Sequence, residues 1–229
     1  MISLHGAYYP NNFGDVLVLA IQSKWIKELS KEEIVLPFAT EIYRNIIKPS
    51  NLKGIEGLKA SSKLIYGAGG YLGEPMIRKW EWGFKFFKKH VFPAEYCIFK
   101  KIDYAIISPG FGPITNLFTR LEAVRICKHS KLIVLRDVES KNYLVQYGIP
   151  ENKVIVTADV ALSLTKDDIP NESVERIKNI FLGSTEHKYG IHVGADIDSS
   201  KYGDKVRMIL DDCIKFFNIN QRQIINGFN

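Results

Sequence analysis

Cysteine is scarce in this chain of 229 residues: there are three, at positions 97, 127 and 213. An odd number of distant thiols builds no disulfide framework and no zinc site, so free, buried thiols in a reducing compartment are expected. The five histidines fall at no metal-ligating spacing, so no metal is expected either. No run of about 18 apolar residues occurs, so no bilayer span is expected. The opening "MISLHGAYYP" lacks a charged segment ahead of an apolar stretch, which predicts no signal peptide. Neither the dinucleotide fingerprint nor the P-loop is present. There is no internal repeat and no low-complexity tract.

What is present is ordinary globular material. Hydrophobic residues make up 46% and charged residues 24%, enough for a buried core in one large or two small domains. The 31 basic residues exceed the 25 acidic ones, for a net charge of +6. That balance favours an anionic partner without naming it.

Strand and helix patterns alternate. From Asp15, the positions Val18, Ile21, Trp25 and Leu29 follow helical spacing. "EIVLPF" (33–38) reads as a short strand, and 40–60 as an irregular or helical crossover. "KLIYGAGG" (63–70) reads as a buried strand ending in glycines, and 75–91 as a helix. "DYAIISPGFGP" (103–113) is a strand running into a turn, followed by a helix over 116–130 with Asn116 as its N-cap. A strand over 131–137, a helix over 139–148 closed by Gly148 and a strand over 153–162 come next. A helix over 171–181, a strand over 189–196 and a helix over 204–217 complete the series. Continuous apolar strands separated by helices specify an α/β fold, a doubly wound, mostly parallel sheet. Polar and glycine residues gather at the strand carboxyl ends, where such sheets bind ligands.

Each candidate has a plain structural alternative. In "NNFGD" (11–15), Gly14 permits a tight turn and Asp15 suits either a helix cap or a ligand contact. "GAGG" (67–70) lets backbone approach a ligand, and "SPGFGP" (108–113) makes a rigid turn. In "VLRDVES" (134–140), Arg136 follows an apolar strand, where a guanidinium can grip a carboxylate or phosphate in two-pronged fashion. Its alternative is a structural salt link with Asp137. Ser140 reads as a helix-start residue. Asp159, in "TAD", suits a ligand hydroxyl or another helix cap. His192, inside a strand, reads as a satisfied core histidine.

The ordered set "NNFGD", "GAGG", "PGFGP", "VLRDVES" and "VIVTADVALSL" resembles the polysaccharide pyruvyl transferase family over roughly residues 5–164. The resemblance implies a GT-B-like fold, with an N-terminal Rossmann-like domain over 1–165 and a partial second unit over 166–229. It implies transfer of a pyruvyl group from phosphoenolpyruvate to a saccharide in cell-surface polysaccharide biosynthesis, with no further cofactor. Asp15 matches the family's N-terminal acidic residue and Arg136 its motif arginine, which makes these two the expected catalytic residues. Asn12, Gly14, Gly69, Gly70, Gly110, Gly112, Asp137 and Asp159 are the expected substrate-binding residues. Asp159 matches an aspartate usually followed by proline, whereas here Val160 follows. Family members continue through a fuller second domain, so a short member, a fragment and a member without catalysis all stay open. A sugar-nucleotide glycosyltransferase and a non-catalytic saccharide-binding or assembly subunit are the alternative functions.

Residues 78–101, "RKWEWGFKFFKKHVFPAEYCIFKK", mix seven basic residues with eight aromatics. A helical wheel places Trp80, Phe84, Phe87 and Val91 toward the core and Trp82 and Phe86 outward, beside Arg78, Lys85 and Lys89. An outer face of that kind suits a membrane interface or a contact between copies of the chain. Nucleic acid is not expected, because the rest of the chain reads as a small-molecule fold. The expected location is cytoplasmic, at the inner face of the membrane if that helix docks there and the acceptor is lipid-linked.

Overall fold

Apolar runs such as "LIVL" suit strands covered on both faces, and they form the centre of the molecule. The computed structural model describes residues 1–8, 12–75, 78–168, 171–175 and 208. The chain divides into two compact units, Met1–Gly183 and Ser184–Asn229, and all the elements below belong to the first. The strand expected over 189–196 with His192, and the helix expected over 204–217 apart from residue 208, lie outside the described residues. Asn11 and Cys213 lie outside them too. Residues 171–175 are helical, and the remainder of the helix expected there is likewise outside.

Six strands form one parallel sheet: β1 (Ile2–His5), β2 (Ile34–Val35), β3 (Lys63–Tyr66), β5 (Asp103–Ile107), β7 (Leu132–Leu135) and β8 (Val154–Val156), in the order β2-β1-β3-β5-β7-β8. Leu4 pairs with Ile65, Ile106 with Ile133, and Val134 with Ile155. All four residues of β1 are buried, so the sheet is covered on both faces there. The chain steps from β1 to the edge strand β2, then returns to β3 on the other side of β1. Ligands of such sheets bind outside the strand carboxyl ends at this reversal. "NNFGD" follows β1 and "GAGG" follows β3, so both flank the reversal.

The helices are α1 (Phe13–Ser30), α2 (Glu41–Ile47), α3 (Gly54–Lys59), α4 (Lys79–Phe86), α5 (Phe92–Lys100), α6 (Leu117–His129) and α7 (Val138–Gln146). Asn116 caps α6 as expected, accepting the Thr119 N–H at 3.0 Å. Cys97 and Cys127 are free and buried, and burial pushes both thiols up to about 12. Among the described residues, no helix is long and apolar enough to cross a membrane.

Four expectations need correction. "KLIYGAGG" is two strands, not one: the chain breaks at Gly67, and β4 (Gly69–Leu72) pairs in parallel with β6 (Pro109–Phe111) as a small separate sheet. Leu29 is exposed, as are all the residues from Lys27 to Ser30 in the last turn of α1. The helix expected to stop at 91 continues to Lys100 through a π turn at Phe87–Val91. Pro93 has no N–H to give, and the wider turn just before it accommodates that gap.

The last correction is the wheel over 78–91, which is inverted for its aromatic rings, whereas Val91 is buried as expected. Phe86 is 1% exposed and Trp82 packs partly buried against the core. Trp80, Phe84 and Phe87 are 83%, 77% and 54% exposed. The row facing inward is Trp82, Phe86 and His90, with ring centroids 4.9 and 5.7 Å apart. In a π turn residues five apart share a side. Phe86 and Val91 are accordingly buried in one core cluster, although a regular wheel separates them.

Candidate functional site

Arg136 is the first residue after β7, at the sheet's carboxyl edge. The next residue, Asp137, caps α7 by accepting the Ser140 N–H at 2.7 Å. Asp137 is therefore the helix-start residue, a role the sequence had suggested for Ser140. The Ser140 hydroxyl instead accepts the Phe111 N–H at 2.8 Å and ties α7 to β6. Burial pushes the Asp137 carboxyl up, but the Ser140 hydrogen bonds and the Arg136 charge outweigh it and leave it lowered.

The guanidinium is held on two sides. Nη1 donates to Asp159 Oδ2 at 3.2 Å, and Nε lies 3.4 Å from Asp137 Oδ2. Beneath it is Gly110, where a Cβ would lie 2.8 Å from Nη2. A side chain at Gly110 would push the guanidinium aside. Asp159 also caps a short 3₁₀ turn, Val160–Ser163, accepting the Ala161 N–H at 2.9 Å. Val160 from that turn packs with Val18 and Ile21 of α1. The valine in the usual proline position therefore has a packing role.

That packing brings the start of α1 to the same edge. Its N-cap is Asn12, whose Oδ1 accepts the Asp15 N–H at 3.3 Å. The capping alternative for Asp15 is thereby removed, since its carboxylate caps nothing. Gly14 sits in the first turn of α1, not in a tight turn before it. Asp15 is 7% exposed and its Oδ2 has no hydrogen-bond partner among the described residues. Desolvation raises its carboxyl above the usual range, and the Arg136 charge partly offsets this. A buried carboxyl with an unused oxygen can hold a proton and deliver it.

The expected residues thus separate. Arg136, Asp137, Asp159 and Gly110 come together, with Asp15 in their electrostatic field. Gly70, Gly110, Gly112, Arg136 and Asp137 line one cleft of about 220 Å³, with Tyr143 on its wall. Gly69 has φ +141° and a buried place under Tyr71, so its role is conformational. Gly112 lies against Gly73, where a Cβ would meet the Gly73 backbone at 3.1 Å. Asn12 and Gly14 are exposed at the start of α1 and do not line the cleft.

Sequence reasoning missed three features. Gln22 braces the edge from α1: Oε1 accepts the Ala68 N–H at 2.8 Å and Nε2 donates to Ile107 O at 3.1 Å. A Cβ at Gly67 would meet Oε1 at 2.3 Å, so that glycine of "GAGG" makes room for the brace. Glu74, with a side chain 2% exposed, accepts from Thr115 and Asn116 and pairs with Lys79 at 2.8 Å. Burial acts upward on that carboxyl, but these partners pull it down to about 2. Behind the edge, His5 Nε2 and His90 Nδ1 lie 2.8 Å apart, and Tyr71 stacks on His90 at 4.7 Å. Desolvation lowers His5 to about 3, and lowers His90 as well. None of these features follows a short motif, because each depends on a contact between residues distant in sequence, such as Glu74 with Thr115 or His5 with His90.

The family model described as polysaccharide pyruvyl transferase matches residues 12–226. No curated protein matches the chain. Among solved structures, MnaA from S. aureus, solved with UDP, aligns over 92% of this chain and 58% of its own, at 10% identity and TM-score 0.51. That likeness shows a shared GT-B-like fold. A UDP-GlcNAc 2-epimerase from Neisseria meningitidis aligns over 79% of this chain and 53% of its own, at 15% identity and TM-score 0.46. An uncharacterized protein from Klebsiella pneumoniae aligns over 72% and 52%, at 17% identity and TM-score 0.40. The chain therefore spans 52–58% of the length of these structures.

Proposed function

The chain belongs to the polysaccharide pyruvyl transferase family, and on that premise we propose that it transfers a pyruvyl group from phosphoenolpyruvate to a saccharide of the cell envelope. Arg136 holds an anionic group of the donor, and Asp15 delivers or receives a proton beside it. Residues 1–165, which lie within the compact unit Met1–Gly183, carry this chemistry. The observation that carries the reading is the placement of Arg136. It lies over Gly110 at the sheet's carboxyl edge, braced by Asp137 and Asp159 and opening on the glycine-lined cleft. A guanidinium has five N–H donors, and the two carboxylates fix its orientation before any ligand arrives.

The chemistry needs an acid and a base. The donor's methylene carbon takes a proton and becomes a methyl group, while an acceptor hydroxyl loses its proton and bonds to the adjacent carbon. A second hydroxyl then closes the ketal, and the phosphate leaves as inorganic phosphate with that hydroxyl's proton. Asp15 suits the proton step because burial keeps its carboxyl raised, and because one of its oxygens has no hydrogen-bond partner among the described residues.

Competition calorimetry tests the donor assignment. The full chain should bind phosphoenolpyruvate, with UDP failing to displace it. Binding of UDP without binding of phosphoenolpyruvate would replace this reading with that of a sugar-nucleotide enzyme.

A further inference from the structure

We propose that the exposed aromatic and basic face of α4 and the π turn after it docks the protein on an anionic lipid surface. Trp80, Phe84 and Phe87 follow one another at i, i+4 and i+7, and all three are exposed. Such spacing puts three large rings on one side of a helix. None of them belongs to the inward row of Trp82, Phe86 and His90. The patch extends onto a neighbouring element: a Cβ at Gly83 would lie 3.0 Å from Thr119 Oγ1, and Lys79 Nζ is 3.5 Å from Thr115 Oγ1. Phe118, next to that contact, is 79% exposed, and Leu117 and Leu121 are 53% and 56% exposed. Large exposed apolar residues on two elements that touch mark an interaction site.

Charge decides the occupant. Over 78–101 there are seven basic residues and two acidic ones, Glu81 and Glu95. Glu95 is engaged by Arg125 at 2.7 Å, and Glu81 faces Lys85 at 3.9 Å. The long stems of Lys85 and Lys88 lie in the same turns as the rings, with their ammonium groups in solvent. A second copy of the chain docked on this face would bring two cationic patches together, which is unfavourable. An anionic leaflet is complementary, and basic side chains near it each add on the order of fivefold in partitioning. Aromatic rings are at home at the depth of the headgroups. The inference stands apart from the donor chemistry, since none of these residues lines the Arg136 cleft.

Co-sedimentation of the full chain with vesicles tests it. Vesicles of phosphatidylcholine with phosphatidylglycerol should bind the protein at low salt and release it as salt rises, through screening. Vesicles of phosphatidylcholine alone should bind it far less. Trp80→Ala with Phe84→Ala should reduce binding by roughly tenfold or more, with melting temperature unchanged because both rings are in solvent. Lys85→Gln with Lys88→Gln should reduce it by on the order of tenfold and flatten the salt dependence. No binding to anionic vesicles at low salt would overturn the proposal. So would binding that both double variants retain in full. A concentration-dependent dimer that Trp80→Ala with Phe84→Ala dissolves would assign the face to a second copy instead.

Discussion

Asp15 sits where stability and use oppose one another. Its carboxylate is buried, one oxygen has no hydrogen-bond partner among the described residues, and the helix whose first turn holds it is capped by Asn12. A raised carboxyl pKa means that the folded state costs most once pH rises through the ordinary carboxylate range and the group must ionise in place. Asp15→Asn removes that cost. We expect pyruvyl transfer to fall at least tenfold in Asp15→Asn, while the melting temperature holds or rises. A variant with full turnover would remove Asp15 from the chemistry. Asn12→Ala is the matching control, because it deletes the cap and leaves the carboxylate. It should lower stability by about 1 kcal/mol in denaturant unfolding. This division was half legible in the sequence. "NNFGD" announced a helix start with a small polar cap, but whether Asn12 or Asp15 did the capping depends on backbone angles that residue types do not fix.

The segment from α4 through the π turn to α5 shows where periodicity misleads. A regular wheel assumes 3.6 residues per turn, and a single π turn changes which residues share a side. The helix expected to stop at 91 passes Pro93 instead, with the turn before it widened. Alternation of strands and helices was legible because it needs only runs of apolar residues. The separate pairing of β4 with β6 was not, since "GAGGYL" and "PGF" carry too few apolar residues to declare themselves strands. The corrected packing makes a sharp contrast between neighbours. Phe86→Ala should destabilise the protein by about 3–5 kcal/mol, while Phe84→Ala should cost under about 0.5 kcal/mol. Equal losses in urea unfolding would contradict the inward row of Trp82, Phe86 and His90.

At the scale of the whole unit, the sheet order β2-β1-β3-β5-β7-β8 brings residues from across the chain to one edge. "NNFGD", "GAGG", "SPGFGP", "LRD" and "TAD" were recognisable as strand-end segments, and the sheet order explains why they meet. The His5–His90 pair was not legible, because its members are 85 residues apart. Both rings are neutral in the fold, with His5 lowered to about 3 and His90 lowered as well. The unfolded chain takes up protons at these histidines near pH 6.5, so stability should be complete above that pH and fall progressively toward about pH 3. His90→Gln should flatten this acid limb in thermal melts recorded against pH, and an unchanged limb would place the acid sensitivity elsewhere. The central claim is that Arg136, placed over Gly110 and braced by Asp137 and Asp159, holds the anionic donor. A charge-assisted pair contributes about 1.5–3 kcal/mol, or roughly tenfold to a hundredfold in affinity. Calorimetric titration of phosphoenolpyruvate into folded Arg136→Ala and wild-type protein measures it directly. We predict a loss of affinity in that range or beyond, and equal affinity in the two proteins would contradict the account.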